Sequence, residues 1–189
     1  MFTRLAKLIF ALTGWKVEGD PLQAPKSVLA VAYHTSNWDA WPAFGSNLAL
    51  NAQVKWIGKS SIFWWPLGTL LRSIGGVPLK REDSKNFVAK MVEEFARHER
   101  FVLAIAPEGT RKRAARWRTG FYYIALAAKV PLIPTALDYK NKRIVFGQLF
   151  YPTGDYTADM RLLREFYRPF EPKNPQWADR DFIIDSPAK

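Results

Sequence analysis

Apolar positions recur at two different periods along the chain. Short apolar runs fall at 28–33, 54–57, 77–79, 101–106, 132–136 and 143–146. Continuous runs of that length, bounded by polar or Gly/Pro positions, predict buried strands. Between them, 40–50, 86–97 and 120–128 carry longer patterns that predict helices. In the second of these, Val88, Met91, Val92 and Phe95 follow one helical face. Leu5, Leu8, Ile9 and Leu12 repeat that spacing within 2–13, with Arg4, Lys7 and Ala11 off the stripe. A last helix is expected over 157–168, with Met160, Leu163 and Tyr167 on one side. No internal repeat interrupts this order. Alternating strand and helix patterns predict a single α/β domain over 1–189, a mixed, mostly parallel sheet flanked by helices. Catalytic loops are then expected beyond the C-terminal ends of strands.

Composition narrows the partners. At 189 residues and 48% hydrophobic, the chain can bury a sizeable core. A net charge of +11, with eight Trp and 15% aromatic residues, favours anionic partners. It suits a membrane surface, where amphipathic rings sit at headgroup level. A basic protein with a bulky core is the alternative. There is no cysteine, which excludes thiol nucleophiles, disulfides and cysteine metal sites. Two scattered histidines make a zinc site unexpected. No apolar stretch reaches the roughly 18 residues of a membrane span. Residues 2–13 make a poor signal peptide. They fit either a basic amphipathic helix lying in a membrane interface or a helix packed on the domain.

Chemistry concentrates at three places. His34 follows the 28–33 strand, and Asp39 follows five positions later in His34-Thr35-Ser36-Asn37-Trp38-Asp39. Asn37 is the expected N-cap of the next helix. A carboxylate in that first turn can hold an imidazole in one tautomer and stabilise its charged form. A purely structural His–Asp hydrogen bond is the other reading. His98 sits in a charged stretch at a predicted helix end and is expected to be solvated. Next, the 101–106 strand opens onto Pro107-Glu108-Gly109-Thr110-Arg111. Gly109 permits a tight turn or close approach of a ligand, and Arg111 can bind phosphate bidentately. An ordinary surface turn fits as well. From Arg111 to Arg118 there are five cations in eight residues, facing lipid headgroups, an acidic carrier protein or nucleic acid. Finally, Lys80 and Arg81 follow Gly75-Gly76-Val77-Pro78-Leu79, and Lys59 precedes Phe63-Trp64-Trp65. Those aromatics suit either an amphiphile or the core.

His-x4-Asp, Gly-x4-Arg (Gly76 to Arg81), Pro-Glu-Gly-Thr-Arg and Val130-Pro131-Leu132-Ile133-Pro134 occur in that order. Over residues 28–136 this pattern resembles the glycerolipid acyltransferases, the PlsC-like lysophosphatidic acid acyltransferases. The resemblance implies an acyltransferase fold. It implies transfer of a fatty acyl group from acyl-CoA or acyl carrier protein to a lysophospholipid hydroxyl, most simply 1-acylglycerol-3-phosphate. His34 would be the general base and Asp39 its orienting partner. Lys59, Arg81 and Arg111 would hold the acceptor phosphate, Glu108 and Gly109 would shape the acceptor site, and Thr110 would assist by hydrogen bonding. Neither metal nor bound cofactor is implied.

The chain is short for that family and lacks the apolar N-terminal extension many members carry. Peripheral binding to an anionic surface, at the inner face of the cell membrane, through 2–13 and the aromatic stretch, is the expected substitute. Trp38 and Trp41 are bulky for the family, so an acceptor other than lysophosphatidic acid stays open. Two readings of other classes stand beside the enzyme. One is a nucleic-acid binder, for which Trp117 is the aromatic among cations; no helix-turn-helix, zinc or RNA-recognition signature accompanies it, and nucleic acid is not expected as a partner. The other is a membrane-binding module without catalysis. For the segment from Tyr151 onward, wrapping the domain, gating an acyl site and loose order are all open.

Overall fold

The structure, a computed structural model, describes residues 2–79 and 86–182. Seven strands form one sheet: β1 (Lys16–Glu18), β2 (Lys26–Ala32), β3 (Lys55–Lys59), β4 (Gly76–Leu79), β5 (Phe101–Ile105), β6 (Leu132–Asp138) and β7 (Arg143–Phe146). Among the described residues six α-helices accompany them: α1 (Phe2–Thr13), α2 (Ala40–Leu50), α3 (Leu67–Ser73), α4 (Phe87–Arg97), α5 (Gly120–Ala128) and α6 (Tyr156–Tyr167). The strand order is β1-β7-β6-β2-β5-β3-β4. Every pairing is parallel except β6 with β7. The predicted mixed, mostly parallel α/β sheet is what forms.

Burial explains the sequence pattern. Both faces of the sheet are covered, so β6 is buried at all seven positions and β2 at five. Such strands read as unbroken apolar runs rather than alternating ones. One core packs Phe95, Leu103, Ile124, Leu163 and Tyr167 beneath α4, α5 and α6. The other packs Phe10, Leu29, Val54, Ile133 and Ile144 on the opposite face, towards α1 and α2.

Several boundaries move. The 28–33 strand runs Lys26–Ala32, so Tyr33 leaves the sheet. The 54–57 strand runs Lys55–Lys59 and the 132–136 strand extends to Asp138. The last helix begins at Tyr156, where Asp155 caps it through the Ala158 amide at 3.0 Å. β1 and α3 have no counterpart in the predicted elements, because three residues and seven residues are too short to show a period.

The tail wraps the domain. Phe170 and Phe182 are buried, Glu171 O accepts from Tyr139 N at 2.8 Å, and Arg113 meets Asp179 at 3.2 Å. The N-terminal helix packs on the domain, but not through the predicted stripe. Ala6 and Phe10 bury against the domain, whereas Leu5, Leu8 and Leu12 of the predicted stripe stay exposed. Phe63 is a core residue, while Trp64 and Trp65 are exposed, Trp65 at 84%.

Candidate active site

Parallel pairing aligns the C-terminal ends of β2, β3, β4 and β5 on one edge of the sheet. Ala30 of β2 lies opposite Ile105 of β5, and Lys59 of β3 opposite Leu79 of β4. The loops that carry His34, Lys59 and Glu108 therefore leave the sheet along the same edge.

After β2 the chain turns through a 3₁₀ segment, Asn37–Asp39, before entering α2. The N-cap of that turn is Ser36, not Asn37. Ser36 has extended backbone (φ −149°, ψ 154°) and its Oγ accepts from Trp38 N at 3.1 Å. Asn37 already lies inside the turn, where a cap cannot form. Ser36-Asn37-Trp38-Asp39 is a capping box in sequence, a signal that could have found this. The box has a second consequence. Asp39 Oδ2 accepts from Thr35 N and Ser36 N, each at 2.9 Å, and faces His34 Nδ1 at 2.9 Å. One oxygen thus closes the turn and orients the ring. The Asp39 side chain is 1% exposed and that of His34 24%. An ionised acceptor at Nδ1 keeps the proton on that nitrogen and leaves the Nε2 lone pair free.

Glu108 braces the same loop from β5. Its Oε1 accepts from His34 N at 2.9 Å, while Oε2 is sealed from solvent without a partner. Burial pushes its carboxyl up to about 7, against the lowering effect of the His34 amide. The resemblance implies that Glu108 shapes the acceptor site; its Oε1 also fixes the backbone of the His34 loop. Next to it, burial pushes the Tyr33 hydroxyl up to about 12.

The raised Glu108 value carries a stability consequence. Below its ordinary value of 4.5, folded and unfolded chains both hold the proton. From there to about 7 the unfolded chain releases it and the folded chain keeps it, so stability falls with rising pH. Glu108→Gln retains an oxygen for the His34 amide and removes this titration. Its stability relative to the parent is expected to improve by about 1–3 kcal/mol between pH 4.5 and pH 8. Denaturant midpoints at the two pH values measure it; an unchanged difference between the proteins removes the assignment.

The cations are arranged less tightly. Gly109 has φ +62°, a left-handed conformation that suits glycine, and a Cβ there would run into the Arg118 guanidinium. Arg118 N donates to Pro107 O at 2.7 Å, folding the basic loop back over the Glu-Gly turn. Arg118 therefore lies against the Glu-Gly turn, a placement that the motif reading, which left it in an undifferentiated run, did not single out. Thr110 Oγ1 accepts from Lys112 N at 3.3 Å, a local turn. Lys59 and Arg111 are exposed on the same edge. Arg81 lies outside the described residues. Trp117, the aromatic that suited nucleic acid, is 2% exposed and stacks on Phe182 at 3.8 Å. It anchors the loop to the core and offers no platform for a base.

Two further residues at the site had no sequence signal. Asn174 donates from N to Thr35 Oγ1 at 3.2 Å and from Nδ2 to Thr35 O at 2.8 Å. Tyr139 follows β6 beside the His34 loop, and its hydroxyl is buried. Both lie about a hundred residues or more from His34 in the chain, and only the fold brings them near.

Comparison with known proteins shows the family and the fold. The Acyltransferase family matches residues 14–138. The 1-acyl-sn-glycerol-3-phosphate acyltransferase of Escherichia coli (strain K12) is 31% identical over 159 residues, 79% of this chain and 62% of that protein. The Haemophilus influenzae protein of the same name is 24% identical over 143 residues, 72% of this chain and 59% of its own. The chain therefore spans about three-fifths of the length of these relatives. Among solved structures, the 1-acyl-sn-glycerophosphate (LPA) acyltransferase PlsC from Thermotoga maritima shares the fold, with a TM-score of 0.58 at 16% identity. That match covers 89% of this chain and 76% of the other.

Proposed function

This chain belongs to the Acyltransferase family, and from that premise we propose that it transfers an acyl group from an acyl thioester to the free hydroxyl of a lysophospholipid, 1-acylglycerol-3-phosphate above all. The observation that carries the reading is the His34–Asp39 pair at 2.9 Å, its partly exposed imidazole standing over an edge that carries Lys59, Arg111 and Arg118. The acceptor in the relatives' names is a phosphorylated glycerolipid, and guanidinium and ammonium groups suit its phosphate.

His34 Nε2 takes the proton of the acceptor hydroxyl as its oxygen bonds to the thioester carbonyl carbon. Asp39, holding Nδ1–H, stabilises the imidazolium that results. The tetrahedral intermediate collapses, the carbon–sulfur bond breaks, and the imidazolium proton goes to the departing thiolate. No acyl-enzyme is needed. Glu108 keeps the His34 backbone in place throughout, and the donor is acyl-CoA or acyl carrier protein.

The test is thioester consumption by the purified protein with each donor, against lysophosphatidic acid and a panel of other lysophospholipids. Preferred acylation of lysophosphatidic acid supports the acceptor. Equal use of phosphate-free glycerides overturns the phosphate role of the cations.

Peripheral membrane binding is part of the same proposal. Among the described residues no helix is long and apolar enough to cross a membrane. Leu5, Leu8 and Leu12 on α1 are exposed, as are Trp38, Trp41, Trp64 and Trp65. An apolar cleft of about 250 Å³ lies between α1 and α2, lined by Ala6, Ile9, Phe10, Trp41, Phe44 and Leu48. With a net charge of +11, this face suits an anionic bilayer. Leu8→Glu is expected to weaken binding to phosphatidylglycerol vesicles at least about tenfold, since it removes one leucine exposed for insertion into the bilayer and adds a repelled charge. Vesicle co-sedimentation reads this, and equal binding by both proteins would take α1 out of the interface.

A further inference from the structure

We propose that Tyr139 is a positioning residue for this reaction, its hydroxyl donating to Asp39 Oδ1 and so holding the carboxylate that orients His34. The proposal rests on the reading of His34 as the base. Asp39 divides its two oxygens unequally. Oδ2 serves His34 Nδ1, Thr35 N and Ser36 N. Oδ1 is buried and has no partner at full hydrogen-bond geometry, and the same holds for the Tyr139 hydroxyl. A buried carboxylate oxygen and a buried hydroxyl are each unfavourable alone and complementary together.

The two groups are neighbours. Burial, and after it the charge of Asp39, push the Tyr139 hydroxyl above its usual range. The fold makes them so: β6 pairs with β2, Ala136 opposite Ala32, so Tyr139 just past β6 stands beside the loop that begins at Tyr33. The ring is fixed on several sides. Trp15 meets it edge-on at 5.1 Å, its own amide donates to Glu171 O at 2.8 Å, and the Lys173 ammonium lies 5.4 Å from its centroid. Lys173 also lies 5.5 Å from the Trp38 ring, so the tail bridges Tyr139 to the His34 loop. A side chain held this way leaves its hydroxyl little choice of direction, and a carboxylate tethered at both oxygens cannot swing away from the imidazole.

Tyr139→Phe keeps the ring and its packing and removes only the O–H. With two histidines in the chain, His34 is readily resolved by NMR. The His34 Nδ1–H resonance is expected to shift and to exchange faster with water, because its acceptor is held by one oxygen alone. In the acyl-transfer assay kcat is expected to fall about fivefold with both KM values unchanged. An unmoved Nδ1–H resonance overturns the proposal whatever the rate does. The converse variant reads the contact from the other end: Asp39→Asn should move the Tyr139 Cζ resonance in the ¹³C-tyrosine protein, and an unmoved one overturns it equally. If the parent protein consumes no acyl thioester, the acyltransferase reading falls, while these two resonances still decide whether Tyr139 holds Asp39.

Discussion

His34→Ala is expected to lower kcat by about 10²–10⁴-fold and to leave KM for the acceptor little changed. The size follows from geometry. His34 Nδ1 is committed to Asp39 at 2.9 Å, so Nε2 is the basic nitrogen, and the other histidine is far from the site in a different pairing, with Glu94 at 3.3 Å. Among the described residues nothing else at this edge combines a free imidazole nitrogen with a buried orienting carboxylate. The cations that would bind the acceptor phosphate are separate groups, which is why binding should survive the change. The variant should fold, because Asp39 still accepts from Thr35 N and Ser36 N. Single-turnover assays beside thermal unfolding would separate chemistry from stability. Undiminished turnover by the variant would sink the mechanism and leave family membership standing.

Trp117→Ala is expected to cost about 3–5 kcal/mol of folding stability, the range for deleting a buried large aromatic. Trp117 stacks on Phe182 at 3.8 Å with rings 15° apart, and meets Tyr167 at 5.5 Å and Phe121 at 6.4 Å edge-on. Its loss frees two segments together. The basic loop loses its inner anchor, and the tail loses the ring that Phe182 covers. Chemical denaturation measures the stability change, and proteolysis at Lys173 and Arg180 should accelerate in step. A cost under about 1 kcal/mol would mean that Trp117 is not the anchor, and would return it to consideration as a surface aromatic among cations.

Family pattern and local chemistry were readable from one sequence because they are local. Strand-length apolar runs marked six of the seven strands, and helical spacing marked α1, α2, α4, α5 and α6. The His34–Asp39 pairing follows from a five-residue separation across a turn, which short-range geometry alone can close. The N-cap is Ser36, one position before the expected Asn37: cap preference ranks Asn and Ser alike, and it is the carboxylate three residues on, Asp39, that separates them.

What the sequence by itself determined is the α/β class, the motif order and the pairing of His34 with Asp39. Tertiary structure decided the rest, for one physical reason: folding makes neighbours of residues far apart in the chain, through parallel strand pairing and through the tail and helices packed on the sheet. That placement put Glu108 on the His34 amide, 74 residues away, and Asn174 on Thr35, 139 residues away. It buried Trp117 while leaving Trp64 and Trp65 exposed, although all three read alike as aromatics near charge. It also turned the Leu5, Leu8 and Leu12 stripe outward and used Ala6 and Phe10 to pack, since α2 offers α1 a close approach at Gly45 that only the Phe10 face fills.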